Sequence, residues 1–363
     1  GKASINGEEV KMYKTGIFFK EVTFEPGWNI IRAEVVGSDA KIAKAEKRIF
    51  YKNTLQPLRK ALPLWIDSKS IKPDVDHMFL KNDKVRVGFK GSKGQKGFVR
   101  LHPGKLKIQL ARKDFQDYSL YEGDLSLYQL KKGKDYALSF LLESPSGKTL
   151  KMKGGNTLKI QNKDLFPLVK TTSENTILGY NLGPVRLGGP IIAEYGPGVL
   201  LQVDGIIGDY YRIYLNRNEQ GLVHKKDVEL LSKEHLKPSY FIQYASAGPS
   251  GEMDVVNIPY PEQVPYAIYP EPDQNSIRIV LYGVKTSSTW LTHKKGMKVI
   301  DNITWQQSTP ETYELIVNLK TAKIWGYELV KKEGVLQFQI KHPPQFFTDK
   351  EDRLLKGLKV AIE

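Results

Sequence analysis

The feature that most limits the fold of this 363-residue chain is the spacing of its apolar residues, which recur at every second position almost from end to end. "DKVRVGF", "SIRIVLY", "YELIVNL" and "VLQFQIK" are examples. Period two places alternate side chains on opposite faces of a strand, so each segment buries one face and solvates the other. No stretch shows the 3.6-residue period of a convincing helix. The expected class is therefore all-β. At this length the chain can hold two to three domains, each with its own core, so an array of small β-sandwiches is expected.

Turn and linker residues divide the chain. In residues 1–52, "ASINGEEVKMY" alternates around Asn6-Gly7, a pair that tolerates positive φ and marks a hairpin. Phe18, Val22, Phe24, a turn at Pro26-Gly27, then Ile31, Ala33 and Val35 continue a β meander. Residues 53–82 hold three prolines and little periodicity and read as a connector packing through Leu64, Trp65 and Phe79. A second β domain follows over 83–166, then a compact β module over 167–233. In that module a strand ends at Val203, a Gly-Asp turn follows, and a strand runs through Tyr211, Ile213 and Leu215. A further all-β domain occupies 234–345, with strands at 277–281, 313–319, 326–330 and 335–340 and a turn at Glu333-Gly334. Residues 346–363 form a linker and a closing strand-like segment, "LKGLKVAIE", which has the look of a strand opening a new unit.

Composition removes several chemistries. There is no cysteine, which excludes disulfides, zinc knuckles and thiol catalysis and leaves the compartment open. The net charge of +15 implies attraction to polyanions, or simply a solvated basic surface. No apolar run approaches the roughly 20 residues needed to span a bilayer, so no membrane span is expected. The six histidines, His77, His102, His224, His235, His293 and His342, stand singly with no HExxH, so no metal site is expected in this chain. Neither a GxSxG elbow nor a Walker motif is present. "KGSKGQKG" (90–97) reads as a basic loop between strands, and "RLGGPIIAEYGPG" (186–198) lacks a following helix. Glu122 and Asp124 lie two apart on one strand face, a spacing a glycosidase could use and one that chance also supplies. No catalytic residue is assigned.

Four stretches carry resemblances. Ile5 to Val35 resembles the bacterial immunoglobulin-like modules that read "VNG..V.....G.F...V.L.PG.N.I.V.A". "GVLLQVDGIIGDYYRIYLNRNEQGLVHKKDVELL" resembles a bacterial Src-homology-3-like barrel, with Leu222 where that family often has tryptophan. In that family the barrel binds cell-wall peptide or packs against a catalytic domain. Tyr195, Tyr210, Tyr211 and Tyr214 would line its groove, although alternation turns Tyr211 inward if Tyr210 and Tyr214 face out. "IRIVLYG" followed by "WGY" and a hairpin ending at proline resembles the AMIN domains that precede cell-wall amidases, which implies peptidoglycan binding. Finally, "LKGLKVAIE" looks like the first strand of zinc-type N-acetylmuramoyl-L-alanine amidases, which runs into a GHGG segment bearing a metal ligand. The order of modules is similar to that of the multi-module envelope amidases of Bacteroides-type bacteria.

These resemblances imply the non-catalytic, peptidoglycan-binding region of an exported, periplasmic or cell-envelope amidase. The zinc hydrolase domain would lie beyond the C-terminus and would cleave the amide between the muramoyl lactyl group and L-alanine. The implied partners are peptidoglycan and the amidase domain of the same polypeptide, with no cofactor in this chain. Candidate ligand-binding aromatics are Tyr195, Tyr210, Tyr214, Trp290, Trp305 and Trp325, with core packing the alternative for each tryptophan. Other readings are a basic secreted β protein that binds polyanions or nucleic acid, and an autoinhibitory scaffold. The lysines are spread along the chain rather than gathered into one stripe, so nucleic acid is not the expected partner.

Overall fold

The computed structural model describes residues 2–343 except 13–16, 26, 38–39, 52–60, 105, 163–165, 181–190, 233–234, 236–239, 261–263 and 322, and in 287–289 the backbone alone. Pro26, the first half of the connector, Arg186–Pro190 and the C-terminal "LKGLKVAIE" lie outside the described residues. The chain is all-β: strands dominate, and the helical pieces among the described residues are single turns at Ser68–Ser70, Lys225–Asp227 and Pro272–Gln274. Among the described residues no helix is long and apolar enough to cross a membrane.

The N-terminal sheet is antiparallel, in the order Glu8–Val10, Lys2–Ile5, Gly27–Val36, Ile42–Tyr51. Asn6 (φ 52°) and Gly7 (φ 81°) make the two-residue turn between the first two strands, with Ile5 opposite Glu8. Both residues sit in the left-handed region, as the twist of a tight hairpin requires. The expected meander is corrected, because Lys2–Ile5 pairs with both Glu8–Val10 and Gly27–Val36 and so lies inside the sheet. Phe18 makes only an isolated bridge to Met12, and Val22 and Phe24 stand outside any strand.

In the second unit Lys84–Gly91, Ser119–Ser126 and Ala111–Asp114 form one sheet. It packs on a layer built from Lys107–Gln109, Lys96–His102, Asp135–Glu143, Thr149–Gln161 and His77–Leu80. The inward row Val99, Leu101, Leu138, Phe140 and Leu142 meets Val85, Val87, Phe89 and Tyr121. Phe89 and Tyr121 stack at 5.0 Å, and a Cβ on Gly97 would come within 2.4 Å of the Tyr121 ring. The Tyr121 hydroxyl donates to Ser92 O (2.7 Å) and accepts from Gln95 N (3.1 Å). The glycine-rich 90–97 segment is thus a loop pinned from within the core.

The connector supplies the strand that joins this layer to the next unit. His77–Leu80 pairs in parallel with Thr149–Gln161 on one side and antiparallel with Leu200–Ile207 on the other. Two sheets that would each end in a row of unpaired N–H and C=O groups share one inserted strand, which removes both edges. Among the described residues of the connector, only Ile66, Lys72 and this strand make ladder contacts, which is why the proline-rich stretch shows so little period.

Next come Leu168–Thr171, Thr176–Tyr180, Ile191–Tyr195, Leu200–Ile207, Tyr210–Tyr214, Gln220–His224 and Val228–Leu230. The strand expected to end at Val203 continues to Ile207 before the Gly208-Asp209 turn. Leu178, Tyr195, Leu201, Val203, Ile213 and Val223 form its buried interior. Leu168–Thr171 pairs with both Leu200–Ile207 and Val228–Leu230. Among the described residues no ladder joins Ile191–Tyr195 back to Val228–Leu230, and the strands belong to a 12-stranded sheet that runs into the second unit.

Residues 240–341 form a sandwich. One sheet has the order Val284–His293, Tyr240–Ser250, Met253–Pro259, Val335–Lys341, Tyr327–Lys332; the other is Tyr266–Glu271, Ser276–Tyr282, Thr312–Leu319, Ile300–Thr309. Val256, Ile258, Leu336, Phe338 and Ile340 of the first face Ile277, Ile279, Leu281, Leu315 and Val317 of the second. The alternation in "VLQFQIK" delivers this directly: Leu336, Phe338 and Ile340 point in, Gln337 and Gln339 point out.

Candidate functional site

The outer face of the five-stranded sheet gathers groups suited to ligand contact. Val284–His293 and Tyr240–Ser250 run parallel, with Trp290 directly opposite Tyr244. Adjacent strands lie roughly 4.8 Å apart, so the two rings are neighbours. Trp290 is 71% exposed and Tyr244 55%. A register irregularity between Ile242 and Tyr244 turns Phe241 to the same side, where it too is exposed.

Beyond the aromatic pair the face is polar. Thr292, Ser246, Asn257, Gln337 and Val330 are successive register partners across all five strands. Gln337 donates to Asn257 Oδ1 (2.7 Å), and Gln339 donates to Gln337 Oε1 (2.7 Å). This amide row is locked in place yet keeps hydrogen-bonding capacity at both ends. From Trp290 to Gln337 the face spans three strand spacings, roughly 14 Å.

A buried carboxylate holds the adjoining loop. Asp254 is fully buried, and it accepts from Lys298 N (3.2 Å), Val299 N (2.7 Å), Ile300 N (2.8 Å) and the His342 ring (Nε2 at 2.9 Å). Burial alone would raise its pKa, but the Ile300 N–H, the His342 hydrogen bond and the Val299 and Lys298 N–H groups together hold it below the ordinary carboxylate value. The carboxylate fixes the segment that follows Trp290, and Lys294 packs closely over Gly248, whose missing side chain makes room for it.

The candidate residues named from sequence do not converge. Tyr195 is fully buried; its hydroxyl donates to Tyr266 O (2.8 Å) and its ring meets Tyr266 edge-on at 5.2 Å. It is corrected to a packing residue, because its outward neighbour is the sandwich and not water. Trp305 lies opposite Leu315 on the core side of the other sheet and stacks near Tyr313 at 6.4 Å, so it too is corrected to core. Trp325 is half-buried just before Tyr327–Lys332. Tyr210 is partly exposed with its ring against His224 at 4.9 Å; Tyr214 is half-buried and Tyr211 buried inward. Trp290 alone stands in the exposed constellation. Tyr244 and Phe241 carry no sequence signal, because their role depends on a parallel pairing between strands some 40 residues apart in the chain.

Two other faces are consumed by packing between units. Arg212, on the same side of its strand as Tyr210 and Tyr214, is buried. It donates to Asp204 Oδ1 (2.7 Å) and Asp83 Oδ2 (2.7 Å) and lies over the Phe79 ring at 4.3 Å. Gln220 donates to the second Asp204 oxygen (2.8 Å). Burial raises the Asp204 pKa despite the guanidinium. At the sandwich, Tyr282 donates to Glu219 Oε2 (2.6 Å) and Tyr269 donates to its other oxygen. Burial drives both phenols well above the ordinary tyrosine range and pushes Tyr266 up to about 12.

Among the described residues no group of three or more His, Asp or Glu side chains is arranged to hold a metal ion. Glu122 and Asp124 are bridged by one guanidinium, Arg86 (3.1 and 3.2 Å). Compared with known proteins, the chain matches no family model and no curated relative.

Proposed function

We propose that this chain is the wall-binding region of an envelope N-acetylmuramoyl-L-alanine amidase, and that it holds peptidoglycan on the outer face of the C-terminal sandwich. The observation that carries the reading is the Trp290–Tyr244 pair, exposed side by side at one end of a flat row of amides. Sugar rings present apolar C–H faces, which pack on aromatic planes, while hydroxyl and N-acetyl groups exchange hydrogen bonds with carboxamides. The amidase assignment rests on the resemblance of the module order and of the C-terminal segment, and it carries the expectation of an exported protein.

The test is co-sedimentation of the purified chain with intact sacculi at low salt and about 0.5 M salt, where a purely ionic contact weakens steeply. Retention is expected to survive salt and to be lost in Trp290→Ala/Tyr244→Ala, a change at two exposed positions. Retention that vanishes in salt, or that the double variant leaves intact, would overturn the assignment. The chain alone, supplied with zinc, is expected to release no peptide from the wall.

A further inference from the structure

A second face carries its own signal. On the layer of the second unit that turns away from its core, Phe98, Arg100 and His102 of one strand lie beside Ala137, Ser139 and Leu141 of the next. Those in turn lie beside Lys151, Lys153 and Thr157. Lys107 stands opposite Arg100 on the other side, and Lys96 opposite Glu143. The acid on this patch, Glu143, is neutralised by Lys107 (2.5 Å). Lys96, Arg100, Lys151 and Lys153 make no ion pair among the described residues.

Arg100 Nε and His102 Nε2 are shielded from water and have no hydrogen-bond partner. Arginine Nε is always a donor, and leaving a buried donor unsatisfied costs about 1–3 kcal/mol, so Arg100 marks a place where an acceptor is favoured. Ser139, the register partner of Arg100 on the next strand, is buried beneath this face. Lys153 lies roughly 10 Å from Arg100 across the sheet, Lys151 roughly 7 Å from Lys153 along its strand, and Lys96 roughly 13 Å from Arg100 along the same strand.

We infer that this face is a binding site for a linear phosphate-bearing polyanion, seated on Arg100 and flanked by Lys96, Lys151 and Lys153. A phosphate chain carries charge on every unit and takes two parallel hydrogen bonds from a guanidinium fork, which suits Arg100 with lysines set around it. The one aromatic ring there, Phe98, is covered by the Lys107 ammonium at 4.0 Å. No open ring is left on which a base could stack, so a single-stranded nucleic acid gains nothing over a bare phosphate chain. The inference stands independently of the sandwich face.

The test is titration of the full chain with long-chain inorganic polyphosphate. Four phosphate contacts at the slope known for single strands predict about fifty-fold weaker binding on going from 50 to 200 mM salt. Lys96→Gln/Lys151→Gln/Lys153→Gln is expected to weaken binding at least tenfold and to flatten the salt slope by about 0.7 per lysine. Lys131→Gln/Lys132→Gln/Lys134→Gln, which removes the same charge elsewhere, should stay within about twofold of the parent. Arg100→Lys keeps the charge and loses the fork, and should also weaken binding. Equal losses in the two triple variants, an unaffected Arg100→Lys, binding of poly-L-glutamate or poly-dT as tight as that of polyphosphate, or no binding at 50 mM salt would each overturn the inference.

Discussion

Replacing Asp254 with asparagine tests how the sandwich holds the ground beside Trp290. One carboxylate oxygen accepts from both Val299 N and Ile300 N, and the other takes Lys298 N and His342 Nε2. Asparagine keeps one acceptor and turns the other into a donor: with its oxygen toward Lys298 and His342 the Val299 and Ile300 N–H groups lose their partner, and in the reverse sense Lys298 N–H loses its own while the His342 ring meets a donor. At about 1–3 kcal/mol for each buried unsatisfied group, the variant should lose about 2–4 kcal/mol. Hydrogen exchange of the 298–300 amides reads this locally, and about 2–4 kcal/mol corresponds to exchange faster by roughly thirty- to several-hundred-fold. The pH dependence supplies a second reading. A carboxylate held below its unfolded value contributes stability above about pH 4 that is lost as pH falls through the folded pKa, so the parent should show an acid limb that Asp254→Asn lacks. Exchange within about threefold of the parent, equivalent to under 1 kcal/mol, together with an unchanged acid limb, would refute the claim that this carboxylate organises the loop.

Arg212→Ala strands the buried Asp204 and should cost about 3–5 kcal/mol in denaturant unfolding, with part of the loss recovered in Arg212→Ala/Asp204→Ala. Gly97→Ala drives a methyl into the Tyr121 ring and should lower stability by about 1–3 kcal/mol, read as a shift in the thermal midpoint. The phenols of Tyr195, Tyr266, Tyr269 and Tyr282 should stay protonated in an ultraviolet titration until the protein unfolds. Their raised folded pKa values make stability fall as pH climbs above the unfolded value near 10, so ionisation and loss of structure should coincide.

The all-β class and most strand positions in the sandwich were legible in the sequence. Period-two alternation in "IRIVLY" and "VLQFQIK" is enforced by the pleat itself, so it survives whatever partner the strand finds. Asn6-Gly7 was legible for the same kind of reason: a two-residue hairpin needs positive φ, and few residue pairs supply it. The strand Glu328 belongs to, Tyr327–Lys332, and its partner Val335–Lys341 followed from the Glu333-Gly334 turn between them.

Pairing between distant strands was decided by the tertiary structure alone. His77–Leu80 hides in a stretch that reads as linker, because its alternation spans four residues and its function is to satisfy two sheet edges made elsewhere. Whether an aromatic residue faces ligand, core or a neighbouring unit is equally nonlocal: Tyr195, Trp305 and Trp290 occupy similar local sequence patterns and end respectively at an inter-unit contact, against the core, and in the open. Alternation tells which residues share a face of one strand. What covers that face depends on long-range packing, and so the amino-acid order by itself determined the strands while the assembled sheets decided which of their faces were left to bind anything.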